Sequence, residues 1–511
     1  MTARNASQLA AVEKSAPEAA ACATGVGTEV LASADDAARR NQLRAFLVTG
    51  GFLVLSLAAF AVNELYVYLI AYIWFGFIYG MSLQYGRFCF SSAFRDLFAV
   101  GVPRMLVGIV IATVLFGVSA AFLSATGMSA FHPGPVGVHS VIAGLVFGVG
   151  MVLAGGCASS SLYKTGEGNL TSALVIVSIS VTQAAFADVG GWLDKLVPAS
   201  WHASALQKGL PASVSAGEGW FDQYLAGYVW NQPIATFADV LGLANRSFVG
   251  AFLGNFLVGV VLPALTLLAV VYVFWSRKGF MKKRKREKKT LGLAADLAGF
   301  WSMVASSKRT AIAGLVLGVA AGLHMFVMKG LRLKFGIENA AAILTATGND
   351  FGLSARGTVY DPGYWYVTTQ EAQWFGWLFN KLGWQNMDNI FFGYIEGIPN
   401  PLWNLAGWMS ISLIGGAAVM ALLQNEFKLK MPSLELATWA ILGGALMGVG
   451  ARLGLGCNIG AFFVRTANGD TSGWLFGLGM TGGAYVGVRF FRWWTERKMA
   501  KEMAGAAELQ L

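Results

Sequence analysis

The chain has 511 residues, of which 56% are hydrophobic and 13% charged, with a net charge of +10 and a mean hydropathy of +0.57. A soluble domain carries about 25% charged residues, so this composition excludes an ordinary soluble globular protein and indicates a membrane protein.

Ten stretches that are almost free of charge approach or exceed the roughly 20 apolar residues that cross a bilayer as a helix. In chain order, the predicted spans are 45–63, 66–83, 105–130, 138–155, 170–187, 247–276, 311–328, 402–424, 436–456 and 471–488. The sequence therefore predicts an all-α polytopic membrane protein with about ten transmembrane helices and short re-entrant helices.

Residues 1–44 are rich in alanine and lack an apolar signal region, so we expect a disordered cytoplasmic tail. The other predicted parts are a first membrane half (45–276) with an external loop (191–246), a basic cytoplasmic loop (277–309), a second membrane half (310–492) with an external loop (329–401), and a cytoplasmic tail (493–511). Part of the second external loop has an alternative interpretation as a re-entrant segment that matches residues 86–96.

Nine Lys and Arg side chains lie between Arg277 and Lys289. Beside a membrane span, such a cluster fixes topology by the positive-inside rule, which we prefer to a nucleic-acid patch. Counting spans from this loop places both termini in the cytoplasm of a multi-pass protein of the bacterial inner membrane.

Two segments share a pattern. Residues 148–164 are GVGMVLAGGCASSSLYK, and residues 448–465 are GVGARLGLGCNIGAFFVR. Each has Gly-x-Gly, then a Gly-Cys pair, then small or polar residues and a base. The span count directs the helix before Cys157 inward and the helix before Cys457 outward. We therefore predict an inverted repeat with broken helices, a common plan of secondary transporters.

Cys89, Cys157 and Cys457 each have glycine at or near the preceding position, hydroxyl or amide groups after them and a cation within a few residues. Glycine lets the chain leave a helix, and the N–H groups of a following helix favour an anion. A nearby cation lowers a thiol pKa from about 8.5. Such thiols suit a soft sulfur-containing anion, and several weak sites suit conduction. Cys22, in the tail, is assigned no role.

Packing provides the competing explanations. A lone buried cysteine is more often a small packing residue, and Gly-x-x-x-Gly spacings such as Gly76 to Gly80 are more often helix contacts. The duplicated context favours function for Cys157 and Cys457 in particular. Arg95 and Asp96 have an alternative as a structural ion pair. The other bases near the thiols have an alternative as side chains that extend to the membrane interface: Arg87, Lys164, Arg452 and Arg465.

The four histidines show no metal-ligand spacing, and the chain contains no CxxC, HExxH or phosphate-binding loop. We predict no metal, no cofactor and no ATP hydrolysis, and we expect that the protein is not an enzyme.

Residues 425–463, NEFKLKMPSLELATWAILGGALMGVGARLGLGCNIGAFF, with GDTSGWLFGLG after them, resemble the YeeE/YedE family of bacterial inner-membrane proteins. GRFCFSSAFRD and the Gly-Gly-Cys segment resemble its first-half motifs, so the resemblance covers most of Tyr66 to Phe490. It implies an hourglass-like helical fold with inverted halves and uptake of thiosulfate. It also implies that cysteines at the positions of Cys89, Cys157 and Cys457 relay thiosulfate by S–H to sulfur hydrogen bonds.

The resemblance further implies a small TusA-like sulfurtransferase as a cytoplasmic partner. Three features depart from the family pattern: both external loops look longer, residues 334–350 carry no thiol, and the YedE-like ending leaves selenium compounds open.

We therefore predict inner-membrane uptake of thiosulfate, or a related small sulfur-containing ion, through a cysteine-lined central constriction. The predicted substrate-binding residues are Cys89, Cys157, Cys457, Gly156, Gly456, Asn458, Arg87 and Lys164. The alternatives are a transporter of a selenium compound, a membrane thiol oxidoreductase or sulfur-relay protein, and a membrane anchor that recruits a partner through its basic loop. The oxidoreductase would need two thiols that approach closely, and the sequence offers no local pair.

Overall fold

The computed structural model describes residues 36–126, 138–194, 248–337, 340–348, 367–384, 400–405 and 407–508. Within these ranges the chain is helical and forms no strand, apart from an isolated bridge between Asn169 and Lys430. The prediction of an all-α polytopic membrane protein is therefore confirmed.

The first part of the chain forms α1 (Asp36–Val62), α2 (Val67–Gly86), α3 (Phe90–Val100), α4 (Arg104–Ala125), α5 (Val138–Leu153), α6 (Ala158–Gly166) and α7 (Leu170–Asp194). The rest forms α8 (Phe248–Arg286), α9 (Leu293–Val304), α10 (Lys308–Phe335), α11 (Ala340–Ala346), α12 (Val367–Lys381), α13 (Gly407–Leu423), α14 (Leu434–Leu453), α15 (458–467) and α16 (Thr471–Glu508). Short 3₁₀ turns precede α2 and α13 at Glu64–Tyr66 and Pro401–Trp403.

Seven segments of the described chain are long and apolar enough to cross a membrane: α1, α2 with α3, α4, α5 with α6, α8, α10 and α14. Three further apolar helices are shorter, namely α9 and parts of α7 and α13. The spans predicted at 170–187 and 402–424 lie largely in α7 and α13, and the span predicted at 471–488 forms the start of the long helix α16.

Several helices continue past the predicted boundaries. Residues 36–44, expected in a disordered tail, form the start of α1, and α16 continues through the predicted C-terminal tail to Glu508. The predicted basic loop is mostly helical, since it contains the end of α8 and all of α9. A count of apolar residues predicts only the part of a helix that lies in the membrane. The backbone hydrogen bonds of the helix can continue beyond it into charged residues. The predicted external loop 191–246 lies largely outside the described residues, whereas the described parts of the loop 329–401 form the end of α10, α11 and α12.

Four pairs of helices from the two halves pack on each other, namely α5 on α16, α14 on α7, α2 on α13, and α10 on α4, and α5 and α14 also pack together. Glycines line these contacts. A Cβ at Gly144 would lie 2.8 Å from the backbone N of Met480, and one at Gly444 would lie 2.7 Å from the Cβ of Ser178. These glycines therefore lie at helix–helix contacts, as the packing explanation of the Gly-x-x-x-Gly spacing predicts. The short helices α3, α6 and α15 lie among the four pairs and carry the candidate site.

Candidate functional site

Three helix breaks have the same backbone conformation. Arg87, Gly155 and Leu455 adopt left-handed conformations, with φ of 50°, 68° and 52°. Each lies two residues before one of the three membrane-region cysteines. Only Gly155 can adopt this conformation without a steric cost, because a Cβ in the left-handed region crowds the following carbonyl. The second half thus keeps a leucine in a strained position that the first half fills with glycine.

Paired backbone hydrogen bonds close each helix before its break. The N–H groups of Phe88, Gly156 and Gly456 donate to carbonyl oxygens five residues earlier at 2.8, 3.1 and 2.8 Å. The N–H groups of Arg87, Gly155 and Leu455 donate three residues back, at 3.1, 3.1 and 3.3 Å. These bonds form a Schellman motif, which ends α2, α5 and α14 in the same way. The next residue in each case is a cysteine.

Each cysteine lies at the N-cap of the helix that follows. The Sγ of Cys89 accepts from the N–H of Ser92 at 3.4 Å, and the Sγ of Cys457 accepts from the N–H of Ile459 at 3.4 Å. The Sγ of Cys157 lies 3.4 Å from the hydroxyls of both Ser159 and Ser160. Unpaired N–H groups at a helix start attract negative charge, so all three thiols occupy positions that favour an anion.

The three breaks meet inside the protein. The side chains of Cys89, Cys157 and Cys457 are at most 1% exposed, and all three are free thiols. The thiol of Cys89 lies close to that of Cys157. The amide of Asn458 donates to the hydroxyl of Ser159 at 3.3 Å, which joins the break of the second half to that of the first. The sequence offers no local cysteine pair, and packing of α3 against α5 instead brings Cys89 and Cys157 close together.

The predicted glycines allow close approach at the breaks. A Cβ at Gly156 would lie 2.9 Å from the Oγ of Ser160 and 3.4 Å from the Nζ of Lys164. Gly456 has a φ of 153°, and a Cβ there would lie 2.7 Å from the backbone N of Ala461. Side chains at these two positions would displace the starts of α6 and α15.

A base of each following helix returns to the break. The Nζ of Lys164 donates to the carbonyl of Gly155 at 2.9 Å, and the Nη1 of Arg465 donates to the carbonyl of Gly454 at 3.3 Å. Arg452 is 0% exposed and Arg465 is 8% exposed. The interface alternative is therefore wrong for these two arginines, because the end of α14 and the start of α15 lie inside the bundle.

Arg87 lies at the edge of the site. Its guanidinium is 57% exposed and pairs with Glu426 at 2.9 Å, and Gln84 donates to the same carboxylate at 2.9 Å. Burial alone would raise the pKa of Glu426, but the hydrogen bonds from Arg87 and Gln84 outweigh it and hold this pKa below its ordinary value. Arg95 forms its ion pair with Asp96 at 3.0 Å, as the structural alternative predicts.

Residues of α12 also reach the centre, and the sequence prediction did not include them in the site. Thr368 lies beside the thiol of Cys457, and Glu371 lies close enough to act on that thiol electrostatically. The available signal was the polar run TTQEAQ inside an aromatic loop, which fits the re-entrant alternative better than a surface loop. The described residues therefore bring together seven of the eight predicted positions, with Arg87 at the edge, and add Ser159, Ser160 and Thr368.

A family model described as "Sulphur transport" matches residues 85–486, which span all three cysteine breaks. The chain belongs to the sulphur transport family.

Among curated members of this sulphur transport family, the chain is 29% identical over 403 residues to the thiosulfate transporter TsuA of Spirochaeta thermophila, covering 78% of this chain and 92% of that protein. It is 25% identical over 401 residues to the thiosulfate transporter TsuA of Escherichia coli, covering 78% and 88%. It is 34% identical over 159 residues to the probable transporter YedE of Escherichia coli, covering 31% and 38%. These relatives are named as transporters. The comparisons confirm the predicted family and the assignment to transport rather than to an enzyme class.

Proposed function

We propose that the chain takes up thiosulfate, or a related small sulfur-containing anion, across the bacterial inner membrane through a central constriction lined by Cys89, Cys157 and Cys457. The observation that carries the proposal is that three helix breaks bury a free thiol each, with Cys89 close to Cys157 and the breaks at Cys157 and Cys457 joined by the hydrogen bond from Asn458 to Ser159. The two full-length relatives named as thiosulfate transporters support the choice of cargo.

The chemistry of the centre suits such a guest. A thiol donates only a weak hydrogen bond, and sulfur accepts only a weak one, so the terminal sulfur of thiosulfate passes between thiols without a deep energy minimum. The oxygen atoms of thiosulfate can accept stronger hydrogen bonds from the hydroxyls of Ser159 and Ser160 and the amide of Asn458. The helix starts behind the cysteines offset part of the negative charge.

The other predicted residues set the shape of the constriction and its electrostatic potential. Gly156 and Gly456 let the starts of α6 and α15 approach it, and Lys164 supplies positive potential while holding the carbonyl of Gly155. Arg87, at the edge with Glu426, acts as an outer cation that the anion meets after the thiols.

Exchange of helix partners supports an inverted repeat. α5 of the first half packs on α16 of the second half, and α14 of the second half packs on α7 of the first half. In the same way, α2 of the first half packs on α13 of the second, and α10 of the second half packs on α4 of the first. A two-fold relation between the halves would produce this arrangement. If the basic end of α8 lies in the cytoplasm, as the positive-inside rule predicts, both termini lie in the cytoplasm too. The direction of transport is towards that side, where the family resemblance implies a TusA-like sulfurtransferase as the recipient.

A thiol relay is the second candidate, and the contact between Cys89 and Cys157 favours it. Such a relay would pass sulfane sulfur or electrons through a disulfide between these two residues. A selenium compound is an alternative cargo for the same constriction, and similarity to YedE over 159 residues is its support.

The test is uptake of ³⁵S-labelled thiosulfate by bacterial cells that lack other importers. Cys89→Ala, Cys157→Ala and Cys457→Ala are expected to lower uptake at least tenfold at wild-type protein levels, and Cys22→Ala is the matched control. Uptake that continues in all three variants would remove the thiols from the mechanism. Competition by unlabelled sulfite, sulfate and selenite would define the cargo.

A further inference from the structure

The first two turns of α12 bury polar side chains. Thr368, Gln370, Glu371 and Gln373 are 1%, 0%, 1% and 0% exposed. Among the described residues, both side-chain polar atoms of Gln370 and the Oε1 of Glu371 have no hydrogen-bond partner. Buried polar atoms are rarely left without partners unless they meet a ligand, an ion or water. This end of α12 therefore has polar atoms available to a polar guest, an ion or water.

Glu371 has few ionisable neighbours. α12 packs against α7, α13, α6 and the turn at Pro401–Trp403. Neither α13, nor that turn, nor residues 170–185 of α7 carry an ionisable side chain. On α6, Tyr163 and Lys164 lie among the charges around Cys89 and Glu167. The described ionisable group that faces Glu371 is Cys457.

A carboxylate in this position has lost its water and gains no cation from these elements, so burial favours its neutral, protonated form. Ser410 lies beside it, and a hydroxyl can donate to a carboxylate or accept from a protonated carboxyl group. Glu371 can thus exchange a proton without a partner having to leave.

Glu371 also lies beside the anion route. Thr368, one turn before it, lies beside the thiol of Cys457, and Glu371 itself acts electrostatically on that thiol. A carboxylate and a divalent anion repel each other strongly where water is excluded. An anion therefore reaches Cys457 more readily when Glu371 holds a proton.

We propose that Glu371 is the proton carrier of a proton-coupled uptake cycle, in which its carboxyl group is protonated from the external side while the anion passes Cys457 and releases that proton towards the cytoplasm. The inference rests on the proposed function. Only an O–H bond forms and breaks, so one proton per cycle moves inward with the anion and no oxidant or reductant is needed. The coupling has a physical advantage, since a divalent anion entering a negative cell interior moves against the membrane potential and a proton offsets part of that charge.

The experiment uses the full-length protein in proteoliposomes with thiosulfate as the probe. An inward pH gradient, with the membrane potential clamped to zero, is expected to drive accumulation of labelled thiosulfate at least fivefold above the level without the gradient. In Glu371→Gln, this stimulation is lost, while exchange of internal for external thiosulfate at equal pH continues. Glu287→Gln, which neutralises an exposed carboxylate, keeps the full stimulation.

The outcomes separate the two proposals. If the wild-type protein moves no thiosulfate even in exchange, the proposed function fails. If it exchanges thiosulfate but shows no stimulation by the gradient, or if Glu371→Gln keeps that stimulation, only the inference fails. Loss of exchange in a folded Glu371→Gln would also overturn it, because Glu371 would then serve passage of the anion itself. A thiosulfate-dependent alkalinisation of the external medium by the wild-type protein, absent in Glu371→Gln, is the independent readout.

Discussion

The side-chain amide of Asn458 donates a hydrogen bond of 3.3 Å to the hydroxyl of Ser159, although 299 positions separate them in the chain. Both side chains are 0% exposed, and each lies within two residues of a cysteine N-cap. This contact fixes the distance between the two Gly-Cys breaks, since it joins the start of α6 to the start of α15. Loss of this contact is therefore expected to displace the thiols of both Cys157 and Cys457.

Asn458→Ala and Ser159→Ala are each expected to lower thiosulfate uptake about tenfold, because each leaves a buried polar partner unsatisfied at a cost of about 1–3 kcal/mol. The double variant should be little worse than either single one. Initial rates of ³⁵S uptake at matched protein levels check this, and fully multiplicative losses would contradict a direct coupling.

Cys89 and Cys157 are expected to form a disulfide under mild oxidation with diamide, since their thiols lie close together. Mass spectrometry after denaturing alkylation should show two fewer labelled cysteines. Cys457→Ala should keep this behaviour, and Cys89→Ala should abolish it. Cycling of the disulfide with thiosulfate in untreated membranes would favour the thiol relay over simple conduction.

Leu455→Gly is expected to stabilise the protein by about 1 kcal/mol, because glycine relieves the left-handed strain at φ of 52°. Gly155→Ala should cost a similar amount. Nothing lies within 4 Å of a Cβ at Gly155, so its cost is conformational rather than steric. Thermal unfolding in detergent measures both changes, and equal behaviour of the two variants would contradict the strain argument.

Glu426→Gln should destabilise the protein at pH 7 by about 0.2–1 kcal/mol, as expected for a partly exposed ion pair with Arg87. The pKa of Glu426 is lowered by folding, so its stabilisation is present above the ordinary glutamate pKa of about 4.3 and is lost as pH falls below it. The difference in Tm between wild type and variant should therefore shrink as pH falls below the ordinary pKa and vanish once Glu426 is protonated in the folded protein. A difference that persists there would point to packing instead, and Glu502→Gln serves as the exposed control.

The sequence supported the prediction of the breaks at Cys157 and Cys457 because glycine, thiol and base recur there in the same order. It did not predict the left-handed Leu455, because leucine gives no local signal for that conformation. Nor did it predict the contact between Cys89 and Cys157, since their approach depends on how α3 packs against α5. Chain periodicity carries no information on such distant packing.

The polar start of α12 was harder still to predict. Its buried part is too short to count as a membrane span, and Thr368, Gln370 and Glu371 suggest a solvated surface. Their burial results from the surrounding α7 and α13, which contribute the apolar enclosure. A short polar helix inside a membrane protein is thus a useful signal in itself, because irregular backbone at that depth is tolerated only where it lines a cavity or is covered by protein.

The glycine-lined contacts between α5 and α16, α14 and α7, α2 and α13, and α10 and α4 constrain how the protein can move. Where backbones are in direct contact, no side chains lie between them that could repack during a movement. A rotation of one half against the other would therefore have to separate all four interfaces at once. The long helices are therefore expected to remain a fixed frame during turnover. Opening and closing would then fall to the short helices inside that frame, whose displacement leaves the four interfaces intact.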